Sequence, residues 1–413
     1  MSEFLHWVQI DASAAARAEQ ALDEGIGEVR DEIGFMAIHH AFANRFFPGT
    51  SVLHTRLRYI FFVPWLMDQV AAERGRLPPL ERLKQAEARV KDQLKSADAG
   101  PGIIGLRAPR HRMSSQFPSA IYWSALRNWG FLRALEDDSY PGRLEALNSL
   151  VTLSDPVKRT AHDDDGAILD DMLSPFIDDL PTACPQIKTK TGNLTFMLEK
   201  DEKRSLKEII SSANSLARQS ILARLMNSST PLPIPKRQEY DVVFGWPDWI
   251  KELCDEEERK DLKIASYAAA LSCIGRGVYA ALVQMLRKND GKTSGKTDHL
   301  DLLRDAVSRY GSKASQLNIQ NLVELISDDP LPSSIVKVLK ETKAWLKSGR
   351  PHDPMDLLDC YLQAEEPRKE NQSRLPPDAR ERRSEWNPDE VSPATPLHYR
   401  LHIVHELVWD IQN

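Results

Sequence analysis

The sequence predicts a mainly α-helical, multi-domain protein. Three observations carry that expectation. Apolar residues make up 41% of the chain and recur mostly at helical spacing, enough to fill cores between packed helices. Only two runs, 103–106 and 131–135, read as strands, and both are short. A length of 413 residues exceeds one core at roughly 150 residues per domain, so two or three domains are expected.

The elements follow in order. Asp11 is placed to cap a helix over 11–24, with Ala15, Ala18 and Leu22 on one face. A second helix is expected over 29–45, stopped by Pro48-Gly49. Thr50 or Ser51 caps a third over 52–74, with Pro64 as a kink or break. The stretch 80–95 sets Leu83, Ala86, Val90 and Leu94 one turn apart, and Ala99-Gly100-Pro101-Gly102 closes it. Ser119 caps a helix that Gly130 ends, and Phe131 opens the second short strand. Helix, terminal glycine and extended apolar pair read as a winged-helix-like element in the N-terminal third; an ordinary buried helix is the other reading.

Beyond it, 160–187 holds seven aspartates and no Lys or Arg. A helix is expected over 200–226, and Pro231, Pro233 and Pro235 mark a linker. Helices are expected over 247–254 and 263–287. The second carries Ala268, Ala269, Ala270, Gly275 and Gly277, which permit close helix contact, and Arg276 argues for packing in protein rather than lipid. Further helices fall near 300–309, 319–327 and 334–346. The stretch 365–396 is rich in Pro, Glu and Arg and reads as an extended linker. A last amphipathic helix over 397–411 has Leu401, Val404, Val408 and Ile411 as its stripe. The expected organisation is a helical domain over 1–155, an acidic connection over 156–193, a helical domain over 194–350, a Pro- and charge-rich linker over 351–396, and a docking helix over 397–413.

A formal net charge of -6 excludes a uniformly basic nucleic-acid coat. Cys184, Cys254, Cys273 and Cys360 form no CxxC pair and read as free thiols of a reducing cytoplasm. No basic-then-apolar leader opens the sequence, and no membrane association is expected. Several motifs fail on spacing. The loop 291–297 resembles a phosphate loop, but its glycines stand one residue too close and a helix precedes it. Asp163-Asp164-Asp165-Gly166 has Ala161 and Met172 where a calcium loop needs acids. Pro247-Asp248 with Glu258-Arg259-Lys260 formally matches a PD…ExK nuclease pattern, whose geometry needs strands. His398, His402 and His405 fall on a narrow helical face, read as the polar rim of a docked helix ahead of a zinc site. No cofactor, metal or catalytic residue is expected.

Charge distribution is more informative. The windows 33–67 and 99–135 contain no Asp or Glu. The first holds Arg45, Arg56, Arg58, His39, His40 and His54. The second holds Arg107, Arg110, Arg112, Arg127, Arg133 and His111, interleaved with Phe117, Tyr122, Trp123, Trp129 and Phe131. Their formal charges are +3 and +5, which leaves -14 on the remainder. Guanidinium groups match phosphate geometry and aromatic rings offer stacking faces. Arg56, Arg58, Arg107, Arg110, Arg112 and Arg127 are therefore candidate phosphate contacts, with Tyr122, Trp123 and Trp129 as packing or stacking residues. The alternative is a buried region whose arginines pair with acids distant in sequence.

The same windows carry a resemblance. The stretches FANRFFPGTS (42–51) and TRLRYIFFVPW (55–65), Ile104-Gly105 leading to PSAIYWSAL (118–126) and Trp129-Gly130, and LHYR (397–400) together resemble the bacterial proteins grouped as domain of unknown function 6361. The resemblance covers the N-terminal third best. It implies no catalytic residues. It does imply a setting, because the family's members look like genes kept beside helicases, nucleases or methyltransferases in prokaryotic phage-defence islands. Residues and resemblance together lead us to expect a non-enzymatic subunit of a bacterial anti-phage defence complex. It would bind DNA or RNA backbone and helicase, nuclease or methyltransferase subunits. A metal-dependent nuclease of a defence system and a protein scaffold without nucleic acid are the alternatives.

Overall fold

The computed structural model describes residues 32–73, 75–112, 116–155, 173–189, 192–235, 240–293, 295–348 and 353–413. The helix expected over 11–24 and the aspartates at 163–165 lie outside them. The protein is mainly helical, with seventeen α-helices among the described residues. The strand-like pairing among those residues is one antiparallel bridge, Leu132 with Phe176. The chain divides into two units whose segments interleave. One draws its described residues from Phe42–Tyr240, Pro247–Asp255 and Tyr399–Asn413. The other draws its own from Met1–Ala41, Asp241–Trp246 and Glu256–His398. The expected domain limits at 193 and 350 are therefore not the limits of these units, because chain returns at 241–255 and 399–413 carry residues from one to the other.

Helix α1 (Met36–Phe46), whose last five residues belong to the first unit, ends before Pro48-Gly49, as the breaker predicts. Gly49 has φ +77, and a Cβ there would sit 2.7 Å from Asn128 Cβ and 2.9 Å from Trp129 Nε1, so only glycine fits the turn. Helix α2 (Tyr59–Ala72) starts later than expected. The reason lies in the preceding amides. Thr55 and Arg56 N–H groups donate to Tyr122 Oη at 3.0 and 3.1 Å, and Leu57 N–H donates to Asp410 Oδ2 at 2.8 Å. Those amides are held by side chains distant in sequence, so the helix begins after them. Pro64 is accommodated inside α2, whose residues 59–67 are all buried.

Helix α3 (Pro79–Ser96) starts on a proline, with Glu81 in its first turn and Lys95 in its last, each favourable to the helix dipole. Its predicted stripe of Leu83, Ala86, Val90 and Leu94 is buried. The helix expected over 119–130 is two short pieces, α4 (Pro118–Ile121) and α5 (Trp123–Asn128), broken at Tyr122 with φ -90 and ψ 0. With a single bridge after it, this stretch forms no wing, and the winged-helix-like reading gives way to the buried-helix one. The turn at 103–106 likewise forms no strand.

Helices α6 (Arg143–Leu153), α7 (Pro185–Thr189), α8 (Lys200–Ser211), α9 (Ile221–Asn227) and α10 (Asp248–Lys251) follow. The single helix expected over 200–226 is split. Ser215 packs against Gly130, Ala217 N–H donates to Asn128 O at 3.0 Å, and Ser220 caps the second piece through Ala223 N–H. Hydroxyl side chains that compete for backbone groups make this serine-rich stretch a poor helix interior.

The second unit is built on α11 (Glu256–Asn289), 34 residues long. It is long and apolar enough to cross a membrane by length and composition, yet most of its apolar window is buried within the protein. Its small residues permit close packing. A Cβ on Gly275 would fall 2.2 Å from Phe35 Cζ, and one on Gly277 would meet Leu303 of α12 (His299–Ala314) at 3.3 Å. Around it lie α13 (Ile319–Leu325), α14 (Ser333–Lys347), α15 (Leu358–Lys369) and α16 (Arg380–Glu385). The last two correct the linker reading of 351–396. Charged residues there are interior anchors. Glu365 is fully buried and accepts from Tyr279 Oη at 2.6 Å and from the Arg374 and Leu375 amides. Arg383, 2% exposed, pairs with Asp290 at 2.6 Å and donates to three backbone carbonyls. Composition counts such residues as solvated, which is why the sequence hides this part of the fold.

Helix α17 (Leu401–Gln412) belongs to the first unit. It begins at Arg400, which has φ +61 and is buried, its guanidinium on Thr50 O and Asn44 Oδ1.

Candidate nucleic-acid interface

The two acid-free windows meet in the first unit around Tyr122. Its hydroxyl accepts from the Thr55 and Arg56 amides and donates to Arg56 O at 2.7 Å. His54 stacks on its ring at 4.3 Å and contacts Ile121 O through Nε2 at 3.1 Å. Burial drives the His54 pKa down to about 3, with the Arg400 charge adding to it. The imidazole is therefore neutral and part of the packing. Trp129 is fully buried, its indole N–H on Pro48 O at 2.9 Å. Neither ring has a face for a base. Trp123 is half-buried and donates to Pro141 O at 3.3 Å.

Arg56 and Arg58 are neutralised from afar. Arg56 makes a bidentate pair with Asp410 of α17, Nη2 to Oδ1 at 2.8 Å and Nε to Oδ2 at 3.0 Å, and lies 4.7 Å from the Phe196 ring. Arg58 pairs with Glu202 of α8 at 2.7 Å, both side chains 4% exposed, and donates to Thr195 O. The Arg58 pair is interior and the Arg56 pair partly buried, and in both the carboxylate offsets the charge that a phosphate would need.

The other four arginines are exposed. Arg127, at the end of α5, lies 5.4 Å from the Tyr140 ring. Arg107, Arg110 and Arg112 lie on one loop of two consecutive turns, the first closed by Ala108 N–H on Gly105 O at 2.8 Å and the second by Arg112 N–H on Pro109 O at 3.1 Å, with His111 at φ +58. No carboxylate of the described residues pairs with any of the three. Two neighbours on α3 pin the turn from below. Lys91, 2% exposed, donates from Nζ to Pro109 O and Arg112 O at 2.7 Å, and to Ala108 O at 3.4 Å. Asp92 accepts from His111 N–H at 2.8 Å, faces His111 Nδ1 at 3.1 Å and pairs with Lys91 at 3.2 Å. Burial pushes the Asp92 carboxyl up, but the His111 amide and Lys91 outweigh it and hold it below the usual range.

One turn earlier on α3, Glu87 accepts from Ser119 N–H at 2.6 Å, where the acid-free stretch re-enters a helix. Burial raises its pKa to about 7, against the opposing hydrogen bonds of Ser119 and the charge of Arg143. Sequence reasoning missed Glu87, Lys91 and Asp92. A signal existed for two of them: Glu87 and Lys91 stand beside Ala86 and Val90 on the apolar face of α3, where a charged residue needs a partner.

Other motifs resolve plainly. His405 lies between Tyr240 Oη and Pro233 O, while His398 precedes α17, so the three histidines do not share one helical face. No group of three or more His, Cys, Asp or Glu among the described residues could hold a metal ion. Glu258 and Lys260 lie in the first turns of α11 with no strand, and Asp248 pairs with Lys251 at 2.7 Å. In the loop 291–297, the Lys296 and Thr297 amides donate to Asp389 at 2.8 Å, and Asp298 caps α12. Those amides are taken and cannot cradle phosphate.

Residues 1–144 match a family described as "Family of unknown function (DUF6361)". That stretch carries Arg56, Arg58, α3 and the Arg107–Arg112 turn. No curated protein and no solved structure matches the chain.

Proposed function

We propose that the chain is a non-enzymatic subunit of a larger assembly that holds the phosphate backbone of DNA or RNA on the turn bearing Arg107, Arg110 and Arg112. One observation carries the reading: three exposed guanidinium groups on one pinned loop, none of them ion-paired with a carboxylate among the described residues, while the acid that holds the loop, Asp92, faces Lys91 and His111. With Tyr122 and Trp129 in the interior, contact falls on the backbone rather than the bases, so recognition is independent of sequence. Arg127 is the candidate for an additional contact. The proposed setting is a bacterial anti-phage defence complex with helicase, nuclease or methyltransferase subunits as partners. It rests on the family resemblance alone.

Fluorescence anisotropy with short duplex and single-stranded DNA and RNA, between roughly 50 and 200 mM salt, tests the reading. Salt-sensitive binding that an Arg107/Arg110/Arg112→Ala variant loses supports it. Absence of binding to all of them favours the protein scaffold.

A further inference from the structure

We infer that Lys91 and Asp92 are the positioning residues of this polyanion site: they fix the turn's backbone so that Arg107, Arg110 and Arg112 are presented together, without touching the ligand themselves. The inference rests on the backbone-binding reading above. Lys91 is a buried cation, and burying an ammonium is costly unless its protons are placed. Here they are taken by the carbonyls of Pro109 and Arg112 at 2.7 Å and the Asp92 carboxylate at 3.2 Å, with Ala108 O further off at 3.4 Å. The ammonium thus grips the turn from its inner side and has no proton left for a phosphate. Asp92 grips the same turn from its amide side. His111, between Arg110 and Arg112, adopts a left-handed backbone that non-glycine residues avoid, and Asp92 accepts its N–H. A turn already fixed loses little freedom on binding, which is how preorganisation raises affinity.

Positioning and charge make opposite predictions, and this permits a clean test. The full-length chain is titrated against a fluorescein-labelled DNA duplex of about 20 base pairs, across salt. Lys91→Met removes the donors at nearly constant shape. Affinity should fall about tenfold through lost preorganisation. The slope of log affinity against log salt should stay as in the wild type, because no phosphate contact is lost. Asp92→Ala removes a negative charge from the loop that carries the three arginines. Charge alone would tighten binding; positioning weakens it. Asp92→Ala binding as tightly as the wild type, or more tightly, overturns the inference. So does a Lys91→Met loss that lowers the slope like a missing phosphate contact. Should Lys91→Met fail to fold, Asp92→Ala decides alone. The Arg107/Arg110/Arg112→Ala variant separates the two levels. If it binds unchanged, the site itself is wrong. If it loses binding while Lys91→Met and Asp92→Ala do not, only the positioning role is wrong.

Discussion

Arg56 and Asp410 lie 354 positions apart in the chain and form a bidentate ion pair in the first unit, Nη2 to Oδ1 at 2.8 Å. The same carboxylate accepts the Leu57 amide just ahead of α2. One acid from the last helix therefore neutralises an arginine of an acid-free window and helps set where a buried helix begins.

Removing that acid should be costly. Asp410→Ala leaves the partly buried Arg56 unpaired and the Leu57 amide unsatisfied, and we expect a loss of about 3 kcal/mol. Urea denaturation should show a lower midpoint at an unchanged slope. A midpoint equal to that of the wild type would mean the pair contributes nothing.

Tyr122→Phe separates packing from stacking. It deletes a hydroxyl that accepts two amides and donates to one carbonyl, and should destabilise the protein by about 1–3 kcal/mol. DNA affinity of the folded variant should match the wild type, because the ring has no exposed face. A tenfold drop in affinity without loss of stability would restore Tyr122 as a ligand contact.

Glu87 sets a pH dependence. Burial raises its pKa to about 7 in the folded chain from an ordinary 4.5, so the folded state binds the extra proton between those values. Stability from this group is present at low pH and is lost as pH rises from about 4.5 through 7, by about 3 kcal/mol. His54, lowered to about 3, works oppositely and costs stability as pH falls below its ordinary 6.5. Comparing Glu87→Gln with the wild type isolates the first group. The variant keeps an acceptor for Ser119 N–H and should gain on the wild type between pH 5 and 8, read by thermal unfolding. A difference that stays flat across that range counts against the assignment.

Legibility in the sequence followed the range of the interaction. The α3 stripe of Leu83, Ala86, Val90 and Leu94 and the stop at Gly49 depend on neighbours within a turn, and both could be read directly. The start of α2 depends on Tyr122 and Asp410, and the break between α8 and α9 on Gly130 and Asn128, so neither had a local signature. The stretch 353–396 looked solvated because Glu365 and Arg383 are charged, yet both are interior anchors. The site divides in the same way. An acid-free window shows that arginines lack nearby acids in sequence, and cannot show that Asp410 and Glu202 arrive from elsewhere for Arg56 and Arg58. Arg107, Arg110 and Arg112 receive no such partner among the described residues. Lys91, the residue that pins their turn, was visible only as a lysine on an apolar face.

The slope of log affinity against log salt is the most direct measure of the central claim. Each phosphate contact contributes about 0.7–0.9 to it, so Arg107/Arg110/Arg112→Ala should lower the wild-type slope by about 2–3 and weaken binding at every salt concentration. An unchanged slope and affinity in a folded triple variant would contradict the claim that this turn holds the nucleic-acid backbone.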